Sequence, residues 1–170
     1  ILPNRACAWD TITGNAIGVG VKNNGEITGA SFHGDGKKVV VATHNSASAR
    51  LWDIDSGRMV ADTLEHLGMI DVVQFSPDGK SVATASRDGI TKIWNFFGTP
   101  PTSVKITTTQ TNENFERVRF HPDSRRLLLA SGIDKNGRLL TEFAAVQVWD
   151  SEQAVGLTPV MEHPAGFKSA

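Results

Sequence analysis

Side chains that could support chemistry are few in this chain. Cys7 is the only cysteine, which excludes an internal disulfide and any metal site built on a cysteine pair. Gly18-Val19-Gly20 starts like a dinucleotide-binding loop. It lacks the third glycine, and the segment reads as a strand rather than a helix start. Asp134-Lys135-Asn136-Gly137 has the look of an opening calcium loop, without the ligand spacing or closing glutamate that such a loop needs. Asn-Gly is instead a strong hairpin signal. His44 and His163 have no partner at metal-ligand spacing. His33 and His121 stand in turns, where exposure is expected. A glycine-rich nucleotide loop, His-Arg-Asp and Asp-Phe-Gly are all missing, so no kinase chemistry is encoded in this stretch. The expectation is a chain without cofactor or metal.

Bulk composition narrows the partners. Lysine and arginine total 17 against 18 aspartates and glutamates in 170 residues, a net charge of −1. No surplus charge points to nucleic acid or an anionic lipid surface. No apolar run approaches the ~20 residues of a membrane-spanning helix, and no signal peptide opens the chain. Neither nucleic acid nor membrane contact is therefore expected from this segment. A single cysteine fits a reducing, cytoplasmic setting. Ile1 opens the chain in place of methionine, so a missing or processed N-terminus is expected.

Repetition organises the rest. The four tryptophans, Trp9, Trp52, Trp94 and Trp149, each follow an apolar or small residue and precede Asp or Asn, at intervals of 43, 42 and 55 residues. Phenylalanines at 32, 75 and 120 recur at intervals of 43 and 45. Related turns follow them: His33-Gly34-Asp35-Gly36, Ser76-Pro77-Asp78-Gly79 and His121-Pro122-Asp123-Ser124. Between Phe75 and Trp94 the sequence predicts three short strands, Ile70 to Phe75, Ser81 to Ser86 and Ile90 to Trp94, joined by turn residues. A fourth strand follows the polar turn after each tryptophan, with Pro100-Pro101 and Pro159 near the starts of the later two, as sheet edges tolerate. The wide 55-residue step places about ten extra residues at 132–143, between the second and third strands of the last unit. No stretch has helical periodicity.

These motifs resemble the WD-repeat β-propeller family, of bacterial type, across essentially the whole chain. The resemblance implies an all-β fold of about three and a half four-stranded antiparallel blades. The expected divisions are a half blade at 1–21, blades at 22–64, 65–107 and 108–161, and the start of another at 162–170. An unclosed arc exposes strand edges, so the chain is expected to be a segment of a longer ring; a closed assembly of several copies is the rival.

The same resemblance implies a structural hydrogen-bond network of His66, Thr84, Asp88 and Trp94 in the central blade. A hydroxyl, an imidazole and a carboxylate also compose a hydrolytic triad. Here all three occupy the family's structural positions, so no catalytic residue is assigned. The flanking blades depart from the pattern, with Asn23, Val41 and Asn45 in one and Thr111, Leu129 and the inserted loop in the other. Those blades must rely on apolar packing. Loops joining the fourth strand to the next first strand, and the second to the third, are expected to share one rim. That rim carries Met69, Asp71 and Arg87, then Thr28 and His44, then Glu116 with Lys135 and Arg138. The leading expectation is a non-catalytic scaffold module that binds proteins through this rim. Two alternatives are a sensor propeller attached to a serine/threonine kinase outside this segment, and an enzymatic propeller with a channel-mouth site.

Overall fold

The computed structural model describes residues 5–22, 25–44, 46–96, 102–107, 114–133 and 144–163. All regular structure among them is β, in 15 strands. β1 (Arg5–Trp9) pairs with β2 (Ala16–Lys22) as a two-stranded sheet. β3 (Ile27–Phe32), β4 (Lys38–Thr43), β5 (Ser48–Asp53) and β6 (Met59–Glu65) form an antiparallel sheet in chain order. β7 (Ile70–Phe75), β8 (Ser81–Ser86), β9 (Ile90–Asn95) and β10 (Thr102–Thr107) repeat it. The last sheet comprises β11 (Asn114–Phe120), β12 (Arg126–Ile133), β13 (Ala144–Asp150), β14 (Val155–Gly156) and β15 (Met161–His163).

Five strands here replace the expected four, because the outermost position is filled by two pieces. β14 pairs with Trp149 and Asp150, and β15 with Ala144 to Val146. Pro159 lies between them and has no N–H to donate to the ladder. Thr158 fills the gap instead: its hydroxyl accepts from Val148 N at 3.2 Å and its carbonyl accepts from the Gln147 amide at 2.8 Å. The extra loop expected at 132–143 begins within β12; residues 134–143, with Lys135 and Arg138, lie outside the described residues.

Register shows why the tryptophans recur. Trp52 pairs across with Val39, Trp94 with Val82 and Trp149 with Leu127, one position in three sheets. The following residue explains the dipeptide. Asp10, Asp53 and Asp150 each fold back, their carboxylates accepting backbone N–H bonds from the next turn. The phenylalanine turns work similarly, with Asp35, Asp78 and Asp123 accepting from Lys37, Lys80 and Arg125. Gly36 and Gly79 have φ of +71° and +73°, and Ser124 takes the same conformation at +63°.

The core lies between sheets, not within one. Where two successive sheets meet, the tryptophan face of the later one packs on the opposite face of the earlier one. Val40, Leu51 and Leu64 meet Val73, Phe75 and Val82. Ala83, Ala85 and Ile93 meet Val118, Phe120, Leu127 and Leu129. Ala8 and Val21 of the two-stranded sheet meet Val39, Val41 and Ile54. The consequence shows in the repeated phenylalanine: Phe75 and Phe120 are 6% and 9% exposed, but Phe32, facing only β1 and β2, is 57% exposed.

Candidate functional site

The structure brings His66, Thr84, Asp88 and Trp94 together in the third described sheet. His66 sits in the β6–β7 connection, Thr84 in β8, Asp88 in the tight β8–β9 turn and Trp94 in β9. His66 Nδ1 is 3.0 Å from Asp88 Oδ2, and its Nε2 is 2.7 Å from Thr84 Oγ1. The Trp94 indole N–H donates to the same Thr84 oxygen at 2.8 Å. Proton positions follow from the partners. An ionised Asp88 only accepts, so the imidazole proton lies on Nδ1. Nε2 is then an acceptor, the Thr84 hydroxyl donates to it, and the indole fills a lone pair of that hydroxyl.

Electrostatics agree with a neutral ring. Burial pushes the His66 imidazole below its ordinary value, and the nearby Asp88 opposes that shift only in part. For Asp88, burial is the largest single effect and raises its pKa. Hydrogen bonds from the Leu67 and Ile90 backbone N–H groups, with His66, outweigh it and leave the carboxyl below its ordinary value. The three groups have the connectivity of a hydrolytic triad. However, the Thr84 residue and the His66 side chain are both 0% exposed, so no substrate carbonyl reaches the hydroxyl. The network's bonds tie the β6–β7 connection to the β8–β9 turn.

The flanking sheets contrast with this. Val41 and Leu129 hold the register position of Thr84, each two residues along from the tryptophan's cross-strand partner. Among the described residues nothing there accepts from the indole, and the buried Nε1 atoms of Trp52 and Trp149 have no hydrogen-bond partner. Asn23, Asn45 and Thr111 lie outside the described residues.

The β6–β7 connection and the β8–β9 turn that the network joins also carry Met69 and Arg87. Arg87, next to Asp88, lays its Nε across both carboxylate oxygens of Asp71 at 3.1 and 3.0 Å. Its backbone N–H donates to the Met69 carbonyl at 2.9 Å, joining the two loops. Met69 is half-buried beside them. His44 occupies the matching turn of the preceding sheet; it is exposed, and its N–H bonds the Glu26 carbonyl at 2.7 Å. Glu116 lies on β11, and its side chain is outside the described set. Thr28, also expected on the rim, makes a bond between sheets. Its hydroxyl donates to the Ile70 carbonyl of the next sheet at 2.8 Å, so it stitches sheets together.

Contacts of this stitching kind went unread in the sequence. Ser31 Oγ accepts the Phe75 N–H at 3.1 Å, and Gln74 Oε1 accepts the Phe120 N–H at 3.2 Å. Both residues directly precede the repeated phenylalanine, and that shared position was the available signal. His33 is also a correction. It was expected to be an exposed turn residue, yet it is half-buried, edge-on to Phe75 with centroids 5.2 Å apart, and stacked over Gly79. His121 is exposed.

With this geometry in view, the chain compares as follows with known proteins. The family model "WD domain, G-beta repeat" matches residues 60–95, the stretch that carries the complete network. Among solved structures, Kuenenia stuttgartiensis hydrazine synthase superposes with a TM-score of 0.75 at 16% identity, covering 95% of this chain and 44% of that one. A search of curated proteins found no significant match. Repeated antiparallel sheets stacked face to face, with one tryptophan register, define an array of propeller blades. Residues 60–95 therefore carry a WD repeat, and the superposition shows that the rest of the chain shares a propeller-type fold. At that level of identity the hydrazine synthase shares the fold alone, and the chain spans less than half its length.

Proposed function

We propose that this chain is a protein-interaction module whose partner-binding residues are Met69, Asp71 and Arg87, with His44 on the neighbouring blade. One observation carries the reading. Arg87 and Asp71 are held in a fixed pose beside Met69 by loops that the buried His66–Asp88 network locks from below. A half-exposed ion pair adds little stability, roughly 0–1 kcal/mol. Its value lies in presenting a planar guanidinium and a thioether already oriented for a partner, which reduces the ordering cost of binding. WD-repeat domains generally recruit proteins, and the matched repeat at 60–95 contains all three central residues.

The test compares affinity capture by the wild-type chain with capture by Arg87→Glu and Met69→Asp variants shown by circular dichroism to be folded. Specific partners of the wild type should be lost or weakened at least ~10-fold, the loss expected for a central Arg or Met contact. Partners retained at equal affinity by both variants would overturn the assignment of this rim.

A further inference from the structure

The middle sheet, β7 to β10, is packed on both faces, by the β3–β6 sheet on one side and by the last sheet on the other. Its inner strand β7 lies against β3 and β11, and β10 forms the opposite edge, on the perimeter of the array. An edge strand presents unpaired N–H and C=O groups, which proteins blunt with bulges or proline. The other outer strands are blunted in this way. The ladder of β6 shifts register on both sides of Leu51, and the outer strand of the last sheet is split around Pro159. β10 has neither device. Thr102 to Thr107 pair with Asn95 to Ile90 in six consecutive steps without a register shift. Its outward backbone groups therefore form a straight, regular half of a ladder.

The side chains at this edge leave positive charge unbalanced. On the tryptophan face one row runs Val73, Thr84, Lys92, Lys105, so register sets the two lysines directly opposite each other. Like charges so placed repel. Lys92 is half-buried; its ammonium donates to the Glu65 carbonyl and lies 5.1 Å from the centre of the Trp94 ring. Lys105 is exposed, and among the described residues neither ammonium is ion-paired. Both disfavour a proton on the buried His66 ring, as uncancelled positive charge does. The last sheet holds neutral Gln147 at the position of Lys92, and its amide is satisfied by the Thr158 carbonyl. On the other face β10 is apolar. Ile106 is buried with Val118 and Phe120, and Val104 on the same side is half-buried.

We infer that the β10 edge accepts an extended segment of a partner protein as a fifth strand, with Asp or Glu opposite Lys105 and an apolar residue on either side of it. Strand alternation makes the two requirements compatible. The carboxylate lies on the tryptophan face beside both ammonium groups, while its sequence neighbours point to the other face and extend the row of Val104 and Ile106. Main-chain bonds along β10 supply affinity, and the carboxylate selects the segment. A lysine on an edge discourages neutral strands, and the same lysine favours one of opposite charge. It also opposes a second copy of β10, which would bring further lysine to the edge. This perimeter strand is separate from the Asp71–Arg87 rim, so the inference stands or falls independently of the function proposed above.

The experiment titrates the 170-residue chain, labelled for NMR, with a capped threonine–valine–glutamate–valine–threonine peptide, and with the same peptide carrying glutamine at its centre. Amide shifts should concentrate on β10 and β9, and the outward amides of β10 should gain protection from hydrogen exchange. The glutamine peptide should bind roughly fivefold more weakly, a difference that shrinks as salt is raised. Methylating the backbone nitrogens of both valines, or instead that of the glutamate, should abolish binding in one case and spare it in the other, because alternate N–H groups face β10. Lys105→Glu should transfer the preference to a peptide with central lysine, and Arg87→Glu should change neither affinity nor preference. Folded variants are confirmed from their own spectra. The inference is overturned by no binding, by equal affinity for the glutamate and glutamine peptides, by equal tolerance of the two methylation patterns, or by shifts that bypass β10. Self-association through β10 without peptide would overturn it too, since a second copy would then be the occupant.

Discussion

Thr84→Val exchanges a hydroxyl for a methyl at almost constant shape, so its effect isolates hydrogen bonding from packing. In the wild type, Thr84 Oγ1 is bonded by both the Trp94 indole and His66 Nε2, at 2.8 and 2.7 Å, with Thr84 fully buried. The exchange strands one donor and one acceptor. Each unsatisfied buried group costs about 1–3 kcal/mol, and some relaxation is available, so a loss of ~2–4 kcal/mol is expected. At ~2–4 °C per kcal/mol for a chain of this size, the melting midpoint should fall by roughly 4–16 °C. The molecule also contains the reverse experiment. Val41 occupies the same register and faces the unpartnered Trp52 indole, so Val41→Thr gives that N–H an acceptor while burying a new hydroxyl. These effects oppose each other, and the net change should stay within ~1 kcal/mol. Urea unfolding with a constant slope measures both variants, and indole hydrogen exchange reports the bonds directly. In the wild type the Trp94 indole should exchange far more slowly than that of Trp9, which is 62% exposed, and Thr84→Val should remove the difference. If Thr84→Val costs no more than Val41→Thr, the network does not stabilise its blade and the reasoning fails.

Three further expectations follow. Asp88→Ala strands the Leu67 and Ile90 N–H groups and the imidazole proton, so it should cost at least ~1–3 kcal/mol, against ~0–1 for Asp71→Ala; equal melting midpoints would contradict this. Gly79→Ala and Gly36→Ala share a positive φ, but only at 79 would the new Cβ strike the His33 ring. The first should therefore cost ~1–3 kcal/mol more than the second, by thermal melting, and parity would show that the His33 contact yields freely. Acid should weaken the network from two groups acting with the same sign. His66 is held below its ordinary value, so the unfolded chain binds its proton first and stability falls as pH drops below about 6.5. Asp88 is also held low, so its contribution is present above ~3.9 and disappears below that as pH falls through its folded value. The stability advantage of wild type over His66→Gln should therefore shrink between about pH 7.5 and 5.5, and an advantage that grows on acidification would refute the neutral-ring assignment.

Much of the fold was legible because its signals are local. Turn chemistry such as Ser76-Pro77-Asp78-Gly79 depends on neighbours a few residues apart, and the tryptophan period follows from one register repeated in each sheet. The β8 and β9 boundaries expected from alternation agree with the structure to within a residue. The split outer strand around Pro159 was less legible, since only the Thr158 bonds across the gap show how the sheet accommodates that proline. The network members could be named by family resemblance. Their closure to the outside is a different kind of fact, because burial of Thr84 depends on the sheets packed on either side.

What the amino-acid sequence determined by itself was therefore the repeating unit: strand lengths, turns, the placement of Trp and Phe, and a central blade with a complete polar network. What only the tertiary structure decided was how units meet. His33 becomes an inter-sheet plug, and Thr28, Ser31 and Gln74 become staples. The physical reason is distance along the chain. Bonds within a turn span two to five residues, whereas the staples join residues 42 to 46 apart, and no local pattern records which backbone N–H a side chain will find there.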